Sequence, residues 1–282
     1  MAFLGGILGQ TIFVIFSLVI LYYFYQYLFA YTGLESMLVL NGTMAANPSN
    51  PLVASVTDPK TPIPALLEGG EYSVNIWVYI NDWTTRRGYN KHIVSIGGDD
   101  FLSFAVYLKP YTNALAVTVR TTDLNTTPGT STNKPPSPGD LLVKSSLNTL
   151  FNTMSGMPGD IMTDPPCDIP SIDLQKWVQI TLTLNNKTSD VYIDGKLARS
   201  CVLPSFYRAS NKNVAMKICD FNGFGGYVAN ATVYNSALNP EQVWQNYMKG
   251  PGPTYSFGQY WKSLFTAKNT IETGYPKMNT VG

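Results

Sequence analysis

The stretch WVQITLTLNNKTSDVYIDGKL, Trp177 to Leu197, decides the fold. Val178, Ile180, Leu182 and Leu184 recur at every second residue, the period of a strand with one buried face. NNKTS turns the chain, VYI runs back with Val191 and Ile193 on one face and Tyr192 on the other, and Asp194-Gly195 turns it again. An Asp-Gly pair suits a two-residue type I′ hairpin, because both central positions need φ above zero. A carboxylate on such a turn can also act as an acid or hold a metal. No second carboxylate stands in register with Asp194, so Asp194 and Gly195 read as a mark of the fold.

Working outward, the same period recurs. In SVNIWVYI (73–80) Val74, Ile76, Val78 and Ile80 share one face, and Ser73, Asn75, Trp77 and Tyr79 the other. HIVSIGG (92–98), FLSFAVYL (101–108), ALAVTVR (114–120), AMKICDF (215–221) and GGYVANATVY (225–234) add further strands. NPEQVWQNYMKG then reads as one short helix, with Asn239 as cap, Pro240 at its first position and Gly250 as stop. Many short strands and a single late helix imply an all-β, antiparallel two-sheet sandwich over residues 71–250. Residues 121–171, with TTPGTSTNKPPSPG, interrupt the pattern as a long insertion holding a short helix near Leu147 to Met154. That insertion either packs on a partner or wraps the domain's own surface.

The flanks differ in character. No charged residue precedes Glu35, and Thr11 to Tyr31 is nearly all apolar or aromatic. About 20 such residues suffice to cross a bilayer as a helix, so residues 1–34 read as an uncleaved transmembrane anchor. Its marking residues are Thr11, Phe13, Ile15, Leu18 and Leu21, with Tyr23, Tyr27 and Tyr31 as an interfacial belt. A cleaved signal peptide fits less well, for want of a basic start and a small-residue cleavage site. Residues 35–70, with NPSNP and PKTPIP, read as an extended connector, and 251–282 as an aromatic tail with a short helix around Phe257 to Phe265.

Composition excludes some partners. Nineteen basic against eighteen acidic residues leave a net charge of +1 and no basic cluster, which disfavours nucleic acid. Three cysteines, Cys167, Cys201 and Cys219, make no disulfide framework. Buried free thiols are expected, with Cys201–Cys219 the pair that neighbouring strands would offer. Sequons at Asn41, Asn125, Asn186 and Asn230 occur about as often as chance would place them.

Two of these stretches, taken together, resemble a known family. WVQITLTLNNKTSDVYIDGKL is similar to the tryptophan-strand, turn, strand and Asp-Gly hairpin of laminin G-like, concanavalin A-like jelly-roll domains. GFGGYVANATVYNSALNPEQVWQNY resembles their closing strand and its run into a terminal helix, and SVNIWVYINDW their early strand. The resemblance covers roughly Glu71 to Lys249. It implies two curved antiparallel sheets that bind carbohydrate or protein, in some members calcium, and in others hydrolyse glycosides.

Catalysis finds no residues to carry it. A glycosidase sets two carboxylates across the bond it cuts, yet no strand here carries paired acids. The five glutamates, Glu35, Glu68, Glu71, Glu241 and Glu272, fall in connectors, helix or tail. The only histidine, His92, begins a strand without a patterned neighbour, so neither a zinc site nor a Ser-His-Asp triad forms. The calcium candidates are Asp99, Asp100 and Asp220; adjacent aspartates on a turn also serve as solvated turn formers. The sugar-binding candidates are Trp83, Phe221, Asn222 and Phe224, which would otherwise pack in the core.

The expected protein is thus a non-enzymatic, single-pass membrane protein that holds other protein subunits. Its architecture is similar to minor capsid proteins that tie an inner membrane to the shell in large icosahedral DNA virions. The alternative is a membrane-bound lectin-like receptor for glycans. No cofactor is expected beyond calcium.

Overall fold

The computed structural model describes residues 2–30, 36–59, 62–121, 142–154 and 167–253. The chain divides into two units, Met1–Glu35 and Ser36–Gly282. The first holds α1 (Ala2–Ala30), whose side chains are described from Gly9 to Phe24. Thr11, Phe13, Ile15, Leu18, Leu21 and Tyr23 lie exposed on it; the Tyr27 side chain and Tyr31 fall outside the described residues. Among the described residues no helix is long and apolar enough to cross a membrane. The expected single-pass localisation is not upheld.

The second unit is an antiparallel two-sheet sandwich. Sheet A has the order β1-β11-β3-β7-β8-β9, and sheet B the order β2-β10-β4-β5-β6. In chain order the strands of the first half are β1 (Ser36–Ala45), β2 (Leu52–Ser55), β3 (Glu71–Asp82), β4 (Lys91–Gly97), β5 (Leu102–Leu108) and β6 (Leu115–Val119). The second half supplies β7 (Trp177–Asn185), β8 (Thr188–Ile193), β9 (Lys196–Val202), β10 (Ala215–Ile218) and β11 (Gly225–Tyr234). Between the sheets lie the residues that the alternation points inward: Val74, Ile76, Val78 and Ile80 from β3, and Val178, Ile180, Leu182 and Leu184 from β7. Phe104, Val106 and Leu108 face them from β5.

The region read as a connector is part of the sandwich. β1 adds to β11 at one edge of sheet A, and β2 adds to β10 at one edge of sheet B. Edge strands are half exposed, so their apolar period is blurred, and β1 is bulged twice against β11.

Two helices cover outer faces. α2 (Lys144–Asn152) rises from the insertion where a helix was expected, and it wraps the domain's own surface. Its Leu150 and Phe151 close a second apolar cluster with Leu102, Ala105, Tyr107, Ala116 and Leu142 on the outside of sheet B. The carbonyls that end α2 are satisfied from the β3–β4 loop: Asn90 Nδ2 donates to Leu150 O at 2.8 Å, and Arg86 donates to Phe151 O. Residues 122–141 and 155–166 of the insertion lie outside the described residues, as does the tail from 254 with its expected helix.

α3 (Pro240–Met248) follows β11 with the cap its sequence announces. Asn239 Oδ1 accepts from the Gln242 N–H at 2.8 Å, and the Gln242 side chain accepts from the Asn239 N–H at 2.9 Å. Gly250, at φ +74°, ends the run.

The cysteines depart from expectation. Cys167 is bonded to Cys201, and Cys219 is free and buried. Cys219 sits just after β10 in sheet B, whereas Cys201 lies on β9 in sheet A, so the two do not lie on neighbouring strands. Of the sequons, Asn230 is buried, its Oδ1 accepting from Gly42 N–H and its Nδ2 donating to Gly250 O, and Asn125 lies outside the described residues.

His92 is fully buried rather than a strand-edge residue, wedged edge-on against Phe151 and Phe221. Its Nδ1 accepts from the Asp220 N–H at 3.1 Å, so the ring proton sits on Nε2 and is given to Ser95 Oγ at 2.9 Å. Burial pulls its pKa down from 6.5 to about 4, against a smaller opposing pull from Asp220. The unfolded chain therefore binds this proton first. Stability is complete above pH 6.5, falls as pH drops through 6.5 toward 4, and the loss reaches on the order of 3 kcal/mol. Urea midpoints measured from pH 7 to 4 should show this slope, and His92→Gln should flatten it; a slope that survives in the variant assigns it to other groups.

Candidate functional site

The residues singled out for calcium do not converge. Asp99 and Asp100 sit on the β4–β5 turn, where the other end of β10 begins; Asp220 sits beyond the far end of β10, beside His92. Each is occupied. Asp99 accepts from Asn213 Nδ2 at 2.6 Å, and Asp100 accepts from Ser210 Oγ at 2.6 Å and from the Phe101 N–H. Asp220 accepts from the Phe221 N–H and pairs with Lys217 Nζ at 3.2 Å. Among the described residues no three His, Cys, Asp or Glu side chains form a group that could hold a metal.

The sugar-binding candidates are also engaged elsewhere. Phe224 is a core residue, and Phe221 stacks on Phe151 at 4.8 Å under the insertion helix. Asn222 is exposed, on the turn between β10 and β11. Trp83 lies over Lys91 Nζ at 4.3 Å, a cation–π contact on a buried ammonium. Burial, and then the like charge of Arg86, lower the Lys91 pKa to about 8. Trp83 and residues 221–224 lie at the same end of the sandwich, where Gly225 pairs with Asp82, but Phe224 is buried and Phe221 is packed on Phe151.

A different surface does have the character of a site: the outer face of sheet A across β11, β3 and β7. Register fixes its rows. Tyr79 lies between Trp177 and Tyr227, and Trp77 between Gln179 and Ala229. Asn75 lies between Thr181 and Thr232, and Ser73 between Thr183 and Tyr234. None of these twelve positions carries a charge.

The first row is half exposed and aromatic, with ring centroids 5.5 Å apart for Tyr79 and Trp177 and 6.4 Å for Tyr79 and Tyr227. The deeper rows are covered by α3 and its lead-in. Tyr247 of α3 stacks on Trp77 at 5.6 Å and 19°. Ser73 Oγ donates to Ser236 O at 2.8 Å and accepts from the Leu238 N–H at 3.0 Å. Below α3, Thr181 Oγ1 donates to Asn75 Oδ1 at 3.0 Å.

Where the last turn of α3 meets β1, β11 and β3, a cleft of about 200 Å³ remains open. Its lining includes Asn75, Trp77, Asn230, Tyr234, Asn246 and Lys249, and no carboxylate. Lys249 Nζ is turned onto Asn246 Oδ1 at 2.8 Å. Burial raises the pKa of Tyr234, whose hydroxyl meets Asn246 and Thr232. Amide and hydroxyl groups beside flat aromatic rings can hydrogen-bond a neutral polyol and stack on its C–H faces. They offer nothing to cut a glycosidic bond.

Asp194, on the hairpin of the opening stretch, is held in backbone hydrogen bonds. Its Oδ1 accepts from the Gln179 N–H at 2.9 Å and its own N–H donates to Gln179 O at 3.0 Å. Both turn residues have positive φ, Asp194 at 50° and Gly195 at 77°.

Comparison with known proteins finds a family likeness over part of the chain. A family model described as the concanavalin A-like lectin/glucanases superfamily matches residues 160–244. No characterised protein sequence matches the chain. Among solved structures, the botulinum neurotoxin serotype D binding domain is similar at 10% identity and a TM-score of 0.45, over 77% of this chain and 46% of that one. The serotype G binding domain is similar at 16% identity and 0.41, over 78% and 47%. A serotype D ligand binding domain in complex with N-acetylneuraminic acid is similar at 12% and 0.44, over 79% and 47%. The chain spans less than half the length of these structures. None of these likenesses bears on the virion role anticipated from the sequence.

Proposed function

We propose that this domain is a non-enzymatic module that binds neutral glycans on the outer face of sheet A. The observation that carries the reading is the uncharged face itself, aromatic in its exposed row and amide- and hydroxyl-rich behind it, running into a cleft without a carboxylate. A sugar offers hydroxyls to amides and an apolar ring face to aromatics; a metal would want carboxylates, which neither the face nor the cleft supplies, and the Lys249 ammonium at the cleft is turned onto Asn246. The matched family model is of lectins and glucanases, which supports the first of those two trades for a cleft without acids. The subunit-docking reading draws less support, since the described part of the insertion sets its apolar residues against the domain's own sheet B.

The test is a glycan array probed with the full chain, with and without a calcium chelator. Neutral hexose-containing glycans should bind in both, and Trp177→Ala should weaken that binding roughly 3- to 10-fold, the worth of one aromatic contact. A blank array from folded protein would sink the reading.

A further inference from the structure

The cleft at the end of α3 is smaller than the roughly 300–1,000 Å³ of a usual ligand pocket, and one of its walls is a helix. Beside Trp77, in register on β7, is Gln179. It is wholly buried, and among the described residues neither its Oε1 nor its Nε2 has a hydrogen-bond partner. The Trp177 Nε1, two residues earlier on the same outer face, is buried and unpartnered as well. Other polar side chains of the covered rows satisfy one another, as Thr181 does with Asn75. An amide sealed from water with both ends idle is rare in a protein interior and costly to keep.

We propose that α3 is a strap that lifts from sheet A, and that Gln179 is a ligand-contacting residue of the glycan site it hides. The proposal rests on the glycan-binding reading of this face. Several features suit α3 to move as a unit. Its first turn is closed by its own capping box, so it does not need the sheet to remain a helix. Its hold on the sheet consists of Tyr247 against Trp77, buried Val243 and Asn246, and Trp244 and Tyr247 over the β8–β9 turn at Gly195. Both ends are tethered, by Ser73 to the lead-in and by Asn230 to Gly250 O, so lifting does not release it. Lifting wets Gln179 and joins it to Trp77 and the existing cleft; a sugar hydroxyl pair then gives the amide both of its missing partners.

Amide exchange reads the strap without any ligand. In the unaltered chain the α3 amides should exchange faster than those of β3 and β7. Gln179→Met removes the idle amide at similar volume, and should slow α3 exchange roughly 5- to 150-fold, the range expected for one unsatisfied buried group. Unchanged or faster α3 exchange in that variant overturns the strap.

Binding of cellohexaose, laminarihexaose and xylohexaose, measured on the full chain, reads the rest. Tyr247→Ala, which removes the stack on Trp77, should bind several-fold tighter, and Gln179→Met weaker or not at all. If the unaltered chain binds a probe and Gln179→Met binds it equally, Gln179 has no ligand role while the glycan reading stands. If no chain binds any probe, the glycan reading and the ligand role of Gln179 fall together, and slowed exchange in Gln179→Met leaves the strap alone standing.

Discussion

Gly195→Val should leave little or no soluble folded protein. Gly195 sits at φ +77°, a region where a β-branched residue is strained. Space forbids the change independently: a Cβ at this position meets Trp244 Cε3 at 2.8 Å and Tyr247 Cβ at 3.0 Å. Valine carries two further methyl groups past that point. The left-handed backbone costs about 1–2 kcal/mol, and overpacking adds about 1–3 kcal/mol, together a large part of the 5–15 kcal/mol that holds a typical domain. The damage also spreads, because the hairpin sets the register of β9 on β8, and α3 lies against it. Gly195→Asn separates the two causes: asparagine tolerates the backbone but brings the same Cβ to the same rings. It should fold with a lowered thermal midpoint. If Gly195→Val expresses and melts like the unaltered chain, neither the turn nor the packing of α3 on it matters as argued.

That hairpin was legible because its constraint is local. Two positive φ values in sequence need residues such as Asp and Gly, and the alternation of Trp177 to Leu184 names the buried face without knowledge of its partner. The same logic placed Val74 to Ile80 and the capped helix at Asn239. What it could not place were elements whose signal is made by neighbours. β1 and β2 are edge strands, partly exposed, and the Pro-containing runs around them, NPSNP and PKTPIP, read as linker. Whether α2 would lie on its own domain or on a partner depended on an apolar outer face of sheet B, built by Leu102, Ala105, Tyr107 and Ala116. Ala105 and Tyr107 alternate with core Phe104, Val106 and Leu108, so β5 is apolar on both faces there, a sign that something covers the second one.

The face proposed as the site is hard to find in the sequence for a related reason. Aromatics with a nearby amide or acid in loops are the plain sequence signal for sugar binding, but Trp83 lies against Lys91, Phe221 against Phe151, and Phe224 in the core. The signal lay instead on the outward half of strands whose inward half had already served to identify them. Ser73, Asn75, Trp77 and Tyr79 alternate with core valines and isoleucines, and none of the four is charged. A solvated strand face commonly carries charge to discourage edge pairing and association; an uncharged one that is rich in aromatics and amides has a different task. Which part of that face lies open and which lies under α3 is a matter of tertiary packing, and no period reveals it.

Reduction of the Cys167–Cys201 bond should cost the fold about 3–4 kcal/mol. The two cysteines are 34 residues apart, and closing a loop of that length restricts the unfolded chain by about this amount. The position of the bond adds a local consequence. Cys167 is where the insertion rejoins the domain, and Cys201 is on β9, which among the described residues is an edge strand of sheet A paired with β8. Beside the bond, Arg199 Nη1 donates to Asp168 O at 2.7 Å and Lys109 Nζ pairs with Asp168 Oδ2 at 2.5 Å. These contacts depend on the insertion's return being held against β9, so they should loosen together once the sulfurs part. Denaturant titrations with and without reductant measure the loss. The double replacement Cys167→Ser with Cys201→Ser should reproduce it and remove all sensitivity to reductant. Cys219 supplies the internal control: burial pushes its thiol pKa well up, which keeps it in the unreactive form. It should resist alkylation in the native state under both conditions. Equal denaturation midpoints for oxidised and reduced protein would mean that the sheet, and not the bond, holds the insertion's returning end.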